Sequence, residues 1–191
     1  MSSVVISGDT SGAITLSAPS VAGTNTITLP ANTGTVITTA SSGQVIPFGA
    51  LPTGSVLQVV QGTYNASTVS TSSTSYVTTN LTVSITPKFS TSKVLVITTG
   101  IFRKGATNGF GSSLAIYRDS TAVYTGAYNE LYGVSSENSA VATLNYLDSP
   151  ASTSSIAYSL RFKTTSASNA QYFLPDAPNE TGSIIVMEIA G

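Results

Sequence analysis

The chain has 191 residues, 41% hydrophobic and only 8% charged, against the usual quarter of a soluble domain, so its polar surface must be built from hydroxyls and amides. Seven basic against eight acidic side chains give a net charge of −1 with no basic cluster, which excludes the electrostatic footprint of a nucleic-acid or anionic-membrane binder. Cysteine and histidine are both absent, which removes disulfides, thiolate metal sites and the commonest general base.

Up to about Ala50 the text reads as short alternating strands, "SVVIS", "AITLSA", "NTITLP" and "GTVITT", separated by the turn-forming runs "GDTSG", "PSVAGT" and "PANTG". Asp9 is the one charged residue before Lys88; the rest lie between Lys88 and Glu188. Strands this short form no core by themselves. "MSSVVISGDT" lacks the basic and apolar regions of a signal peptide, and no apolar run approaches the roughly 18 residues of a membrane span, so membrane insertion is not expected. In "IPFGALPTGSV" the breakers Pro47, Pro52 and Gly54 mark a hinge. Residues 1–50 are thus expected to be a β-rich arm and hinge, and 51–191 a head.

From Ser55 onward the strands lengthen: "VLQVVQG", "YVTTNLTVSITP", "KVLVITTGIFR", "SLAIYRD", "AVYTG", "AVATLNYLD", "SIAYSLRFKTT", "AQYFLP" and "SIIVMEIAG". "RDST" is a tight hairpin turn between Tyr117 and Tyr124. In "SIAYSLRFKTT" the residues Ile156, Tyr158, Leu160 and Phe162 share one face, and Ala157, Ser159, Arg161 and Lys163 the other. No segment carries a capped 3.6-residue period. The pattern predicts an all-β fold, an antiparallel β-sandwich of jelly-roll or immunoglobulin-like layout, with an extended N-terminal arm.

Motifs that suggest catalysis each lack a partner. "DTSG" at Asp9 resembles an aspartic-protease motif, but that chemistry takes two carboxylates sharing a proton and no second copy occurs. "GATNGFG" has no helix after it to bind a phosphate, and Glu130 with Glu137 reads as a solvated loop pair. Asn65, Asn80 and Asn179 sit in glycosylation sequons that matter only in a secreted eukaryotic setting. The expectation is a protein that is not an enzyme and takes no cofactor or metal. Tyr117, Tyr124, Tyr128, Tyr132 and Tyr146 lie close together in sequence beside Asn108, Asn129 and Glu130. Aromatic rings with amide neighbours suit carbohydrate, which makes Tyr128, Asn129 and Tyr132 candidate glycan-facing residues; the alternative is cross-strand tyrosine packing.

The runs "AITLSAPSVAGTNTITLPANTGTVIT", "LPTGSVLQVVQGTY", "LTVSITPKFSTSKVLV", "AIYRDSTAVYTG", "YSLRFKTTS" and "GSIIVMEIAG" together resemble small virion proteins of tailed bacteriophages, particularly those of cyanobacteria and aquatic bacteria. That resemblance implies a trimeric structural role, either as a capsid cement (decoration) protein or as the distal β-sandwich of a tail fibre or tailspike, with no catalytic residues. A fibre needs a shaft, and the chain has no heptads, no Gly-X-Y run and no solenoid period. Numbering from Met1 reads as a whole gene product with arm, hinge and head only, which favours decoration of the outer capsid surface over a tail appendage.

The uncharged arm fits an interface, because burying hydroxyl-rich backbone costs little desolvation compared with burying Lys or Glu. Its strand edges are expected to add to a sheet of the major capsid protein or of a neighbouring copy, with Val4, Ile6, Ile14, Leu16, Ile27 and Leu29 as apolar anchors. Folding back onto its own head is the alternative.

Overall fold

Period-two alternation becomes strand almost wherever it was read. A computed structural model describes residues 3–7, 12–17, 48–105, 111–127, 139–167 and 169–191, and the chain divides into two units, Met1–Val45 and Ile46–Gly191. Within the first unit β1 (Ser3–Ser7) and β2 (Ala13–Ser17) pair antiparallel, with Val4 opposite Leu16 and Ile6 opposite Ile14. The successive residues Val5 and Ile6, which alternate between faces, are 57% and 56% exposed. "NTITLP" and "GTVITT", with Ile27 and Leu29, lie outside the described residues.

The second unit begins with a turn of 3-10 helix, Phe48–Ala50, followed by β3 (Val56–Tyr64), β4 (Val69–Thr71), β5 (Val77–Ile85), β6 (Lys93–Lys104), β7 (Ser112–Arg118) and β8 (Thr121–Thr125). β9 (Ser139–Asp148), β10 (Ile156–Thr164), β11 (Gln171–Phe173) and β12 (Gly182–Ile189) complete it. They form two antiparallel sheets. One has four strands in the order β5-β10-β7-β8. The other has six: β3-β12-β6 with β9 on the far edge of β6, while β11 and β4 extend the sheet past the end of β12. The fold is an all-β antiparallel sandwich. β7 and β8 are joined by a two-residue turn in which Asp119 takes φ +52°, a conformation that aspartate tolerates better than most residues.

The core lies between the sheets and is supplied by alternate residues. Ile156, Tyr158, Leu160 and Phe162 of β10 are buried while Arg161 and Lys163 face out. Phe102 sits at the centre, its ring 5.1 Å from Phe173 and 5.8 Å from Phe162. Phe173 fits because its neighbours have no side chain: a Cβ on Gly100 would stand 2.3 Å from its ring, and one on Gly182 2.6 Å.

Polar clasps close the two margins of the sandwich. At one, the Arg118 guanidinium donates to Asp148 Oδ2 at 2.8 Å and the Tyr158 hydroxyl donates to the same oxygen at 2.7 Å. Burial pushes the Tyr158 phenol far above its ordinary value, and the Asp148 hydrogen bond adds to that. Beside it Tyr124 of β8 stacks on Tyr146 of β9 at 5.5 Å, the cross-strand packing alternative for two of the clustered tyrosines.

At the other margin the buried Glu188 receives the Gln58 amide at 2.5 Å and the Lys88 N–H at 2.6 Å, pinning the β5–β6 turn to β12. Burial alone would raise the carboxyl, but the Gln58 amide and the Lys88 and Phe89 N–H groups that donate to it, with the Ser92 hydroxyl nearby, outweigh that, and its pKa is lowered.

Candidate assembly surface

The outward face of the six-stranded sheet is where the sequence departs from simple alternation. "KVLVI" in β6 and "SIIVMEI" in β12 are apolar at both parities, the pattern of strands covered on both faces. Inward residues Val94, Val96, Ile184 and Val186 are fully buried in the core. Their outward neighbours Leu95, Ile97, Ile185 and Met187 are aliphatic too, and only half-buried.

Register assembles these residues into rows across four strands. The first reads Val59, Met187, Leu95, Leu147 through β3, β12, β6 and β9, and the second Gln61, Ile185, Ile97, Asn145. A hydroxyl row follows, Thr63, Ser183, Thr99, Thr143, in which the Thr99 and Thr143 hydroxyls lie 3.1 Å apart. Beyond it Ile101 stands opposite Val141. The outermost members are the most open: Val59 is 56% exposed, Leu147 47% and Val141 65%.

Cations close both ends of this stripe. Lys93 pairs in register with Ile189 at one end, and at the other the Arg103 guanidinium lies 4.9 Å from the Tyr172 ring. The rows contain no carboxylate. An apolar centre with a polar rim is the anatomy of a protein interface. Four strands at about 4.8 Å spacing, over roughly 20 Å of β6, give a footprint on the order of 400 Å², about half of what one partner contributes to a standard interface.

One edge of the same sheet is also open. Among the described strands β9 pairs with β6 alone; Asp148 at its end, held inward by Arg118 and Tyr158, is its one charged residue, and Ser139–Leu147 carry neither charge nor proline, the two usual guards of an edge strand. Face and edge meet at Val141 and Leu147.

Of the residues singled out from sequence, the four described arm positions are brought together as two cross-strand pairs, Val4 with Leu16 and Ile6 with Ile14. Tyr128, Asn129 and Tyr132 lie outside the described residues, as do Asp9, Glu130 and Glu137. The aliphatic rows were missed as a surface. Their signal in the sequence is the apolar run at both parities in β6 and β12.

No protein-family model and no curated protein matches this chain. Among solved structures it is similar to a subviral particle of infectious bursal disease virus VP2, at 18% identity and TM-score 0.40 over 72% of this chain and 34% of that one. Structures of the Gt and Gx strains of the same virus are similar at 18% and 16% identity, with TM-scores of 0.39 and 0.38. They cover 98% and 70% of this chain, which spans 42% and 29% of theirs. At these scores the likeness carries no argument about role, and the functional reading rests on the chain's own residues.

Proposed function

We propose that this chain is a non-enzymatic virion structural protein of a tailed bacteriophage: a homotrimer that decorates the outer capsid surface as a cement protein. The observation that carries the reading is the aliphatic stripe on the six-stranded sheet. Three copies with this face turned to a common axis would cover Leu95, Ile97, Ile185 and Met187 from water and leave Lys93 and Arg103 at the rim, as closed symmetry requires of a repeated contact.

The stripe is smaller than a standard interface, so the assembly needs further area. The N-terminal ribbon, open at Val5 and Ile6, supplies it by strand addition to the major capsid protein, with Val4, Ile6, Ile14 and Leu16, and beyond them Ile27 and Leu29, as anchors. The absence of histidine and cysteine fits a role without catalysis.

Adding purified protein back to particles stripped of it, followed by co-sedimentation, tests the reading. Saturable binding of many copies spread over the shell supports decoration. Binding of a few copies at the tail, or none to the capsid, would overturn it. The second reading, the distal receptor-binding domain of a tail fibre or tailspike, is favoured by one observation, the partly exposed pairs on the four-stranded sheet in which Arg161 lies over the Tyr117 ring and Lys163 over that of Tyr76.

A further inference from the structure

On β10 the outward residues Arg161 and Lys163 are two positions apart, on one face and about 7 Å from each other along the strand. Each is held against a tyrosine. The Arg161 guanidinium lies 4.1 Å from the Tyr117 ring centroid, and Lys163 Nζ 4.7 Å from that of Tyr76. The two rings come from opposite sides of β10, Tyr117 from β7 and Tyr76 from the residue before β5, and meet edge to face at 6.1 Å. All four side chains are partly exposed.

The charges in this array are not neutralised by the described residues. Their one salt bridge is Arg118 with Asp148. Asp119 stands beside the array but offers Arg161 only its backbone carbonyl, at 3.3 Å from Nη2, while its carboxylate Oδ1 accepts the Ala157 N–H at 3.0 Å. Arg161 Nε is buried without a partner, so what the guanidinium offers an anion is its terminal nitrogens, of which Nη2 spends one contact, a long one, on the Asp119 carbonyl. The rings meanwhile fix both cations in place, which lowers the ordering cost of binding an anion.

We propose that the outer face of the four-stranded sheet binds an acidic polysaccharide, with Arg161 and Lys163 meeting its carboxylates or sulfates and Tyr76 and Tyr117 meeting its sugar rings. Outward hydroxyls on the same face, at Thr78 and Ser159 in register with Arg161 and Tyr117, suit the hydroxyl-rich remainder of such a polymer. A nucleic acid fits less well: it is held by a row of cations in a positive field, whereas here two cations stand on a chain of net charge −1. The site goes beyond the assembly reading, and either virion position accommodates it.

Affinity electrophoresis of the full chain through gels containing alginate, dextran sulfate, neutral dextran or single-stranded DNA tests the proposal. Retardation by alginate or dextran sulfate, weakened by salt and absent with neutral dextran, is the expected result. R161Q/K163Q is expected to lower that affinity at least about tenfold at an unchanged melting temperature, whereas K93Q on the other sheet leaves it as it was. Should the double variant lose its fold, K163Q alone decides by the same loss or retention. No retardation by either acidic polymer, full binding by the variants, or DNA bound as tightly as the polysaccharides would each overturn the proposal.

Discussion

The two outer faces of this sandwich are built on the same strand geometry and differ most in their apolar content. On the six-stranded sheet the outward positions of β6 and β12 include Leu95, Ile97, Ile101, Ile185 and Met187, interrupted by Thr99 and Ser183; on the four-stranded sheet those of β10 are Ala157, Ser159, Arg161 and Lys163. Alternation requires only that one parity be apolar. A second aliphatic parity left in water forgoes about 25 cal/mol for each Å² exposed, so its presence points to something that covers it. The hydroxyl, tyrosine and cation face needs no cover. The inner parity makes the fold, and in the proposed reading the outer parity separates assembly from recognition.

The largest expected effect comes from a residue that supports both faces at once. Phe173→Ala empties the centre of the core beside Phe102 and the glycines Gly100 and Gly182, and should cost about 3–5 kcal/mol in denaturant unfolding. Self-association and polysaccharide binding should then disappear together, because neither face survives without the sheet beneath it. A variant that unfolds no more easily than wild type would contradict this core assignment.

Ile97→Asp separates the faces. The residue is outward in a single subunit, so stability should change by less than about 1 kcal/mol, but a carboxylate pressed into an aliphatic contact should weaken association by several kcal/mol. Light scattering after size exclusion reads the loss of oligomer, and retained polysaccharide retardation shows the other face intact.

Glu188 gives a smaller, pH-dependent effect. Its pKa is lowered in the fold, so the unfolded chain binds the proton more readily, and the contribution of the ionised Glu188 to stability is present above the unfolded value near 4.5 and lost as pH falls through the folded one. Urea melts of wild type from pH 6 downward should show that decline, and Glu188→Gln should be less stable at pH 6 with a flatter profile. Equal slopes would remove the clasp from the account. The smallest effect belongs to Thr143→Val, which replaces one hydroxyl of the Thr99–Thr143 pair and lengthens the aliphatic stripe. Association should tighten by less than about tenfold, measured by dilution in a sedimentation experiment, with stability changed by about 0.5 kcal/mol or less.

Much of the architecture was legible because strand alternation is a local property. "SIAYSLRFKTT" placed Ile156, Tyr158, Leu160 and Phe162 inside and Arg161 and Lys163 outside, and "RDST" gave the β7–β8 turn. β4 was not legible: Val69–Thr71 lies in a run of serines and threonines and becomes strand through its pairing with β11. The surfaces were harder still. Rows such as Val59, Met187, Leu95 and Leu147 exist only once four strands are in register, and the array on β10 joins Tyr76 to Tyr117 from distant segments. Tyrosines near one another in sequence were a poorer guide: Tyr124 and Tyr146 stack with each other, while Tyr117 points to a different partner.

The central claim is that the aliphatic face, and not the hydroxyl face, holds copies of this chain together. Sedimentation equilibrium of two double variants tests it most directly: L95D/I97D places two carboxylates on the six-stranded sheet, and T82D/S84D places two at exposed outward positions of β5 on the other. The account predicts a trimer for wild type and for T82D/S84D, and a folded monomer for L95D/I97D. A trimer that persists in L95D/I97D, or one that dissociates in T82D/S84D, would contradict it.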